Sequence, residues 1–345
     1  MKRLPAEWEQ QDAVILVWPH EDSDWASNLE EVEDVYTAIA THIARHEKVL
    51  IVCRDDRHQA MVKARLEAER TGRSQIVFAR VPGNDTWVRD TGPITVMEDQ
   101  APVLLDFDFN GWGGKYPHRL DRLLTQRLCE QGAFGATPRE VVDFVLEGGS
   151  IECDGSGTLM TTRRCLLAPS RNPGWNEADI TGLLASCFGI RRVIWLEHGL
   201  ILGDDTDGHI DMLARFCDER TIAYSACGDT RDVHYPALRA MARELEALTT
   251  EAGEPYRLVP LPLPAPIMTP SGERLPASYA NFLIINDAVL VPIYGDPADE
   301  VALSRLAPCF PGRAIIGISC RALIQQHGSL HCVTMQLPAG VLPDT

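Results

Sequence analysis

Four short stretches of this 345-residue chain carry residue types able to do covalent or acid–base chemistry. The segment QQHGSLHCVTMQLP (325–338) presents Cys332 just after a Gly-Ser turn, where the pattern enters a terminal apolar strand. A cysteine there can equally be core. A nucleophilic reading needs a histidine from elsewhere, because His331 would face the opposite side of the strand. The segment EHGLILGDDTDGHIDMLARF (197–216) supplies His209, with Asp211 two residues on. Read as the start of a strand, this places both side chains on one face. The acids at 204, 205 and 207 lack calcium-loop spacing, and His198 and His209 do not form a helical metal pair, so no metal is expected. GNDTWVRDTGP (83–93) holds Asp85, Arg89 and Asp90 in a turn-rich run. Arg89 and Asp90 could simply be a structural ion pair. In LEGGSIECDGSG (146–157), Glu147 leaves an apolar strand and meets two glycines, as a hairpin or as a carboxylate held beside a site.

Together these supply one thiol, one histidine and at least three acids. A guanidinium is planar and cationic, and its edges match carboxylates through paired N–H···O bonds. Two carboxylates can hold it flat while a thiolate attacks its central carbon. Clustered acids repel one another, which itself favours a cationic ligand.

The elements that must position these groups alternate along the chain. AVILVWPH (13–20) reads as a strand, Ser27 and Glu30 as a capping box, and Val32, Val35, Tyr36, Ile39 and Ile43 as one helix face. KVLIVC (48–53), QIVFA (75–79), VLLDFDF (103–109), VVDFVL (141–146), GTLMTT (157–162), RCLLA (164–168), RVIWL (192–196), DMLARF (211–216) and TIAYS (221–225) read as strands. Helices are expected near 56–70, 119–131, from Pro236, and near 298–308. Strands outnumber helices, so a barrel with one helix after each strand is excluded. No glycine-rich phosphate loop stands at a strand–helix junction, and no cofactor is expected. The Pro-rich tract 260–276 reads as a long loop over a surface or an active site.

Hydrophobic residues make up 45% and charged residues 23%, as in ordinary globular chains. Acids outnumber Lys+Arg by 49 to 32, a formal charge of -17 that disfavours nucleic acid and suits a small cationic substrate. No apolar run approaches a membrane span, and the first residues do not form a signal peptide. The ten cysteines form no CxxC pair and read as mostly buried free thiols in a reducing cytoplasm.

The motifs NDTWVRDTGP, FNGWGGK, EGGSIE, GDDTDGHIDMLARF, YANFLIIN, VPIYGDP and HGSLHC, in this order, resemble the agmatine deiminase family of the guanidine-modifying superfamily, which includes the bacterial-type peptidyl-arginine deiminases. The resemblance runs from about residue 17 to residue 340. It implies an α/β fold, a five-bladed pseudo-fivefold-symmetric propeller (pentein) forming one domain over 1–345. It further implies Cys332 as nucleophile, His209 as general acid and base, Asp90 and Asp211 as guanidinium-binding acids, and Glu147 as a further active-site acid. Trp87 and Trp112 would line the substrate channel, and Asp205 would meet the distal amine of agmatine. Two positions depart from that family's usual runs: HGSLHC replaces a glycine-rich approach to the cysteine, and Glu152 stands where histidine is frequent. Both bear on how the substrate tail is read. The expected reaction is hydrolysis of agmatine to N-carbamoylputrescine and ammonia. The alternatives are a deiminase of free or C-terminal arginine or another small guanidine, an amidinotransferase, and a non-catalytic polyamine-binding protein. A homodimer is the general default for a soluble chain.

Overall fold

The computed structural model describes residues 2–69 and 72–343. Its strands form five separate sheets built on one recurring plan. A short first strand pairs antiparallel with a central strand. The chain then crosses through a helix and returns parallel on the other side of the central strand. The third sheet in chain order shows this most simply: Ala214–Asp218 pairs antiparallel with Thr221–Ser225, and Arg257–Leu261 returns parallel after the helix Tyr235–Glu246. Ile151–Cys153, Thr158–Thr162 and Arg192–Leu196 repeat it around the helix Glu177–Phe188. Leu283–Ile285, Ala288–Ile293 and Ala314–Ser319 repeat it around Ala298–Leu306. Ile94–Glu98, Ala101–Asp108 and Arg139–Val145 do so around Leu124–Glu130, with Lys2–Arg3 added outside the first strand.

The fifth sheet joins the two ends of the chain. Met335–Pro338 pairs antiparallel with Gln11–Val17, which continues in parallel to Lys48–Cys53 and Ile76–Arg80. Such parallel crossovers need a helix, and here Leu29–Ile43 and Asp56–Ala68 provide the two connections. The first of these buries Val32, Val35, Tyr36, Ile39 and Ile43, as their spacing requires. The five-module plan is the one implied by the family resemblance. No helix among the described residues is long and apolar enough to cross a membrane.

Several local expectations are corrected. Asn28, not Ser27, precedes the first long helix, and its side chain makes no capping bond. Residues 163–166 form a helical turn rather than a strand, because the Thr162 hydroxyl accepts from Cys165 N and starts a helix there. The strand expected to begin at residue 211 begins at Ala214, after a 3-10 turn over Ile210–Met212. The terminal strand begins at Met335, leaving His331 and Cys332 in the turn before it. The Pro-rich tract begins inside the strand Arg257–Leu261, and none of it lines the cleft described below.

Candidate active site

The repeated plan places five side chains in equivalent positions. Asp90, Glu147, Asp211, Asn281 and Cys332 each lie two to four residues ahead of the first strand of their module. These approaches are short turns, so each side chain is presented at the strand's entry end, where the five modules converge. Asn281 is the member that residue-type reasoning passed over. It lies within the quoted YANFLIIN run, but an amide carries no signal for acid–base or nucleophilic chemistry. Only its place in the repeat marks it.

Cys332 borders a cleft of about 410 Å³, its open mouth included, which is also lined by Trp87, Asp90, Trp112, Tyr116 and Asp205. Its Sγ lies 3.6 Å from Asp211 Oδ2 and accepts from Asn281 Nδ2 at 3.2 Å. Asn281 Oδ1 also takes the His331 backbone N–H at 2.9 Å, which ties down the turn carrying the thiol. Burial, together with Asp211 and Asp90, pushes the thiol pKa well above its ordinary value. These surroundings favour the protonated thiol, and a cation between the two acids would draw its pKa back down.

The two acids differ. Asp90 Oδ1 accepts from Gly149 N at 2.9 Å and Oδ2 from the Trp112 indole at 2.9 Å. Burial foremost raises its pKa to about 6. Asp211 is fully buried, and its Oδ2 lies 2.9 Å from His331 Nδ1. Burial would raise Asp211 too, but the hydrogen bond and charge of His331 hold it below the usual range. Its other oxygen, Oδ1, is buried without a hydrogen-bond partner. A buried acceptor left open costs about 1–3 kcal/mol and calls for a donor.

His209 is buried, with Nε2 2.8 Å from Glu147 Oε2 and Nδ1 3.7 Å from Asp90 Oδ1. Burial opposes its charge, yet Asp90, Cys165 and Glu147 raise its pKa well above the ordinary value. Glu147 is fixed in turn by the Arg171 guanidinium, at 2.9 Å from both carboxylate oxygens. A side chain at position 149 would bring Cβ to 2.7 Å from His209 Nδ1, 3.0 Å from Asp90 Oδ1 and 3.1 Å from Asp211 Oδ2. Glycine is thus required where these three groups converge.

Cys165 is a second thiol close to this group. With Glu147 and His209 it forms a trio whose ligand-type atoms lie within 4.8 Å of one another. Arg171, bonded to Glu147, adds a positive charge beside the trio, which disfavours a metal ion there. Cys165 does not line the cleft and Cys332 does, so geometry separates the two thiols.

The remaining expected residues form the walls and outer end of the cleft. Trp112 has φ +54° between Gly111 and Gly113, also left-handed. That strained turn aims its indole at Asp90. Trp87 donates to Asp85 Oδ2 at 3.1 Å. Asp205 accepts from the Tyr116 hydroxyl at 2.6 Å. Arg89 does not pair with Asp90. It bonds Gln336, and its main-chain N–H holds the Cys332 carbonyl at 3.3 Å. Glu152, one of the two departures, does not line the cleft but bonds Arg215 Nε at 2.6 Å beneath it.

A five-module α/β fold converging on a thiol, a charged histidine and paired acids defines a cysteine-dependent hydrolase of guanidine or amidine groups. The model of the Porphyromonas-type peptidyl-arginine deiminase family matches residues 3–338, and the chain belongs to that family, within the guanidine-modifying, pentein-type superfamily. Among solved structures it is similar to the "Putative Arginine Deiminase from Porphyromonas gingivalis", with 47% identity, a TM-score of 0.92, and 99% and 100% of the two chains covered. It is also similar to the C. jejuni agmatine deiminase with substrate bound, with 38% identity, a TM-score of 0.91, and 99% and 97% covered. A curated relative, "Putative agmatine deiminase" of Marinomonas sp. (strain MWYL1), is 33% identical over 97% of this chain and 94% of its own length.

Proposed function

We propose that this chain hydrolyses agmatine to N-carbamoylputrescine and ammonia through a covalent intermediate on Cys332. The observation that carries the reading is the Asp211 carboxylate, whose Oδ2 lies 3.6 Å from the thiol while its buried Oδ1 has no hydrogen-bond partner. A guanidinium N–H supplies one, and the cation relieves the repulsion among Asp90, Asp211 and Glu147.

The cycle has two halves. With the guanidinium clamped, the Cys332 thiol releases its proton to solvent as the cation enters, and the thiolate attacks the central carbon. The C–N bond breaks as His209 gives its proton to the leaving nitrogen, releasing ammonia and leaving an amidino-thioether. Water then attacks the same carbon and His209 takes its proton. The C–S bond breaks, the thiolate returns and the ureido product leaves. Glu147, anchored by Arg171, orients His209 and favours its charged form.

The tail reading rests on charge. Asp24, Asp85 and Asp205 line the outer cleft, and none of its described lining residues is Lys or Arg. An ammonium tail suits these acids and a carboxylate tail does not. The relatives described as agmatine deiminases point the same way. The test is ammonia release with agmatine, free arginine and an arginine-terminated peptide, beside Cys332→Ala. Turnover of agmatine that disappears in the variant is expected. Turnover confined to an arginine compound would overturn the tail assignment, and release without an amine acceptor excludes the amidinotransferase.

A further inference from the structure

His331 is used in no step of this cycle, yet it is fully buried at the centre of the molecule. Its ring bridges two acids. Nδ1 lies 2.9 Å from Asp211 Oδ2, and Nε2 lies 2.8 Å from Glu7 Oε1. Glu7 belongs to the segment between the first two strands, at the opposite end of the chain. Arg215 and Arg89 pair with it, and Gln336 Nε2 donates to its Oε2 at 2.9 Å. Arg215 also pairs with Glu152, which completes the charged groups around the ring.

A carboxylate only accepts hydrogen bonds, so two ionised acids on one imidazole require both ring nitrogens to carry hydrogen. Burial foremost, then Arg215 and Arg89, lower the His331 pKa below its ordinary value, with Glu7 and Asp211 opposing. Against burial, Arg215, His331 and Arg89 hold Glu7 well below the usual carboxylate range. Asp211 is likewise low. The two acid contacts favour the imidazolium against the lowering of the His331 pKa, and Nδ1–H reaches Asp211 Oδ2 with or without the second proton.

We propose that His331, set from behind by Glu7, is the positioning residue of the guanidinium clamp: by holding Asp211 Oδ2 it fixes the carboxylate beside the thiol and leaves Oδ1 as its open acceptor. This rests on the reading of Asp211 as a guanidinium-binding acid. A paired N–H···O contact needs the carboxylate plane fixed to within roughly 10–20°. Among the described residues Asp211 has no other side-chain donor besides the Cys332 thiol to fix it.

The test compares His331→Asn with His331→Gln by steady-state ammonia release from agmatine, with thermal unfolding measured alongside. Asparagine puts an amide nitrogen near the place of Nδ1 and can still hold Asp211. Glutamine puts it near the place of Nε2 and reaches Glu7 instead. The Asn variant is expected to keep kcat/KM within about tenfold of wild type, and the Gln variant to lose roughly 10²-fold, mainly through KM. In an Asp211→Asn background the difference between them should vanish. Equal activity of the two variants in an active enzyme would overturn the role of His331 alone. So would a difference that persists without the Asp211 charge, or a loss in kcat with KM unchanged. A wild type silent on agmatine, arginine and the arginine peptide would instead strike the proposed function, and the clamp with it.

Discussion

Asp90 and Asp211 have the same side chain and similar burial, yet they hold their protons differently. Asp90 receives its two hydrogen bonds from a backbone amide and an indole, both neutral, so burial dominates and its pKa rises to about 6. Asp211 accepts from the His331 ring, whose interaction holds it low against burial. Of these two only Asp90 therefore titrates just below neutrality, while Asp85 in the outer cleft, raised to about 7 chiefly by burial, adds a shallower limb above it. A cationic substrate needs Asp90 ionised, so kcat/KM should fall about tenfold per pH unit below about pH 6. His209, with a pKa well above its ordinary value, stays protonated over that range and adds no second limb there. Asp90→Asn should remove the limb near pH 6 and lower kcat/KM on the order of 10²–10³-fold. The check is a pH–rate profile of both proteins, and a wild-type profile flat down to pH 5 would contradict the assignment.

At the scale of elements, the segment 203–208 is held to the rest of the site by Arg171. Its Nη1 bonds Asp207 at 2.7 Å and its Nη2 bonds the Thr206 carbonyl at 2.7 Å, while Nε serves Glu147. Arg171→Met takes the guanidinium from two carboxylates, leaving buried Glu147 to His209 and Asp207 to Lys115. A loss of about 3–5 kcal/mol is expected, with a raised KM because Asp205 sits on the freed segment. Thermal unfolding and steady-state kinetics check this together. Lysine should rescue only part, since an ammonium cannot reproduce the guanidinium fork. Nothing in the sequence marked Arg171, because a lone arginine after a helical turn has no local signature. Periodic elements were legible: the helix face of Val32, Val35, Tyr36, Ile39 and Ile43 shows directly in its spacing. The approaches to the first strands were not. His209 and Asp211 were expected to share a face because they began a strand, but a 3-10 turn carries Asp211, and tertiary contacts to Glu147 and His331 aim the two side chains. His331 was set aside as a base for Cys332 by the same strand argument. It lies in a turn, and its partner is Asp211. Residue types revealed the chemistry, and the family motifs supplied the fold, because five diverged modules leave no visible sequence period.

At the scale of the whole molecule, the catalytic thiol proposed here sits at the seam of the ring. Cys332 lies three residues before Met335–Pro338, the strand that closes the fifth sheet onto Gln11–Val17. Leu337 in that strand is fully buried, opposite Ala13 in a core that includes Ile15, Leu50 and Phe134. Closure pairs residues more than three hundred positions apart, so its entropic cost is met only when the other modules are in place. Leu337→Asp buries a charge without a partner and should cost at least about 4 kcal/mol. The loss should fall on the seam itself. Without closure, the turn held by Asn281 and Arg89 no longer keeps Cys332 against Asp211, and Glu7 no longer meets His331. Activity should therefore disappear at temperatures where circular dichroism still shows most of the wild-type helix content. Phe188→Ala, which removes an equally buried side chain from the second module, should lower the unfolding temperature by a comparable amount and leave kcat below that temperature near wild type. Equal inactivation by both substitutions would show that the site depends on the stability of the whole ring and not on its seam.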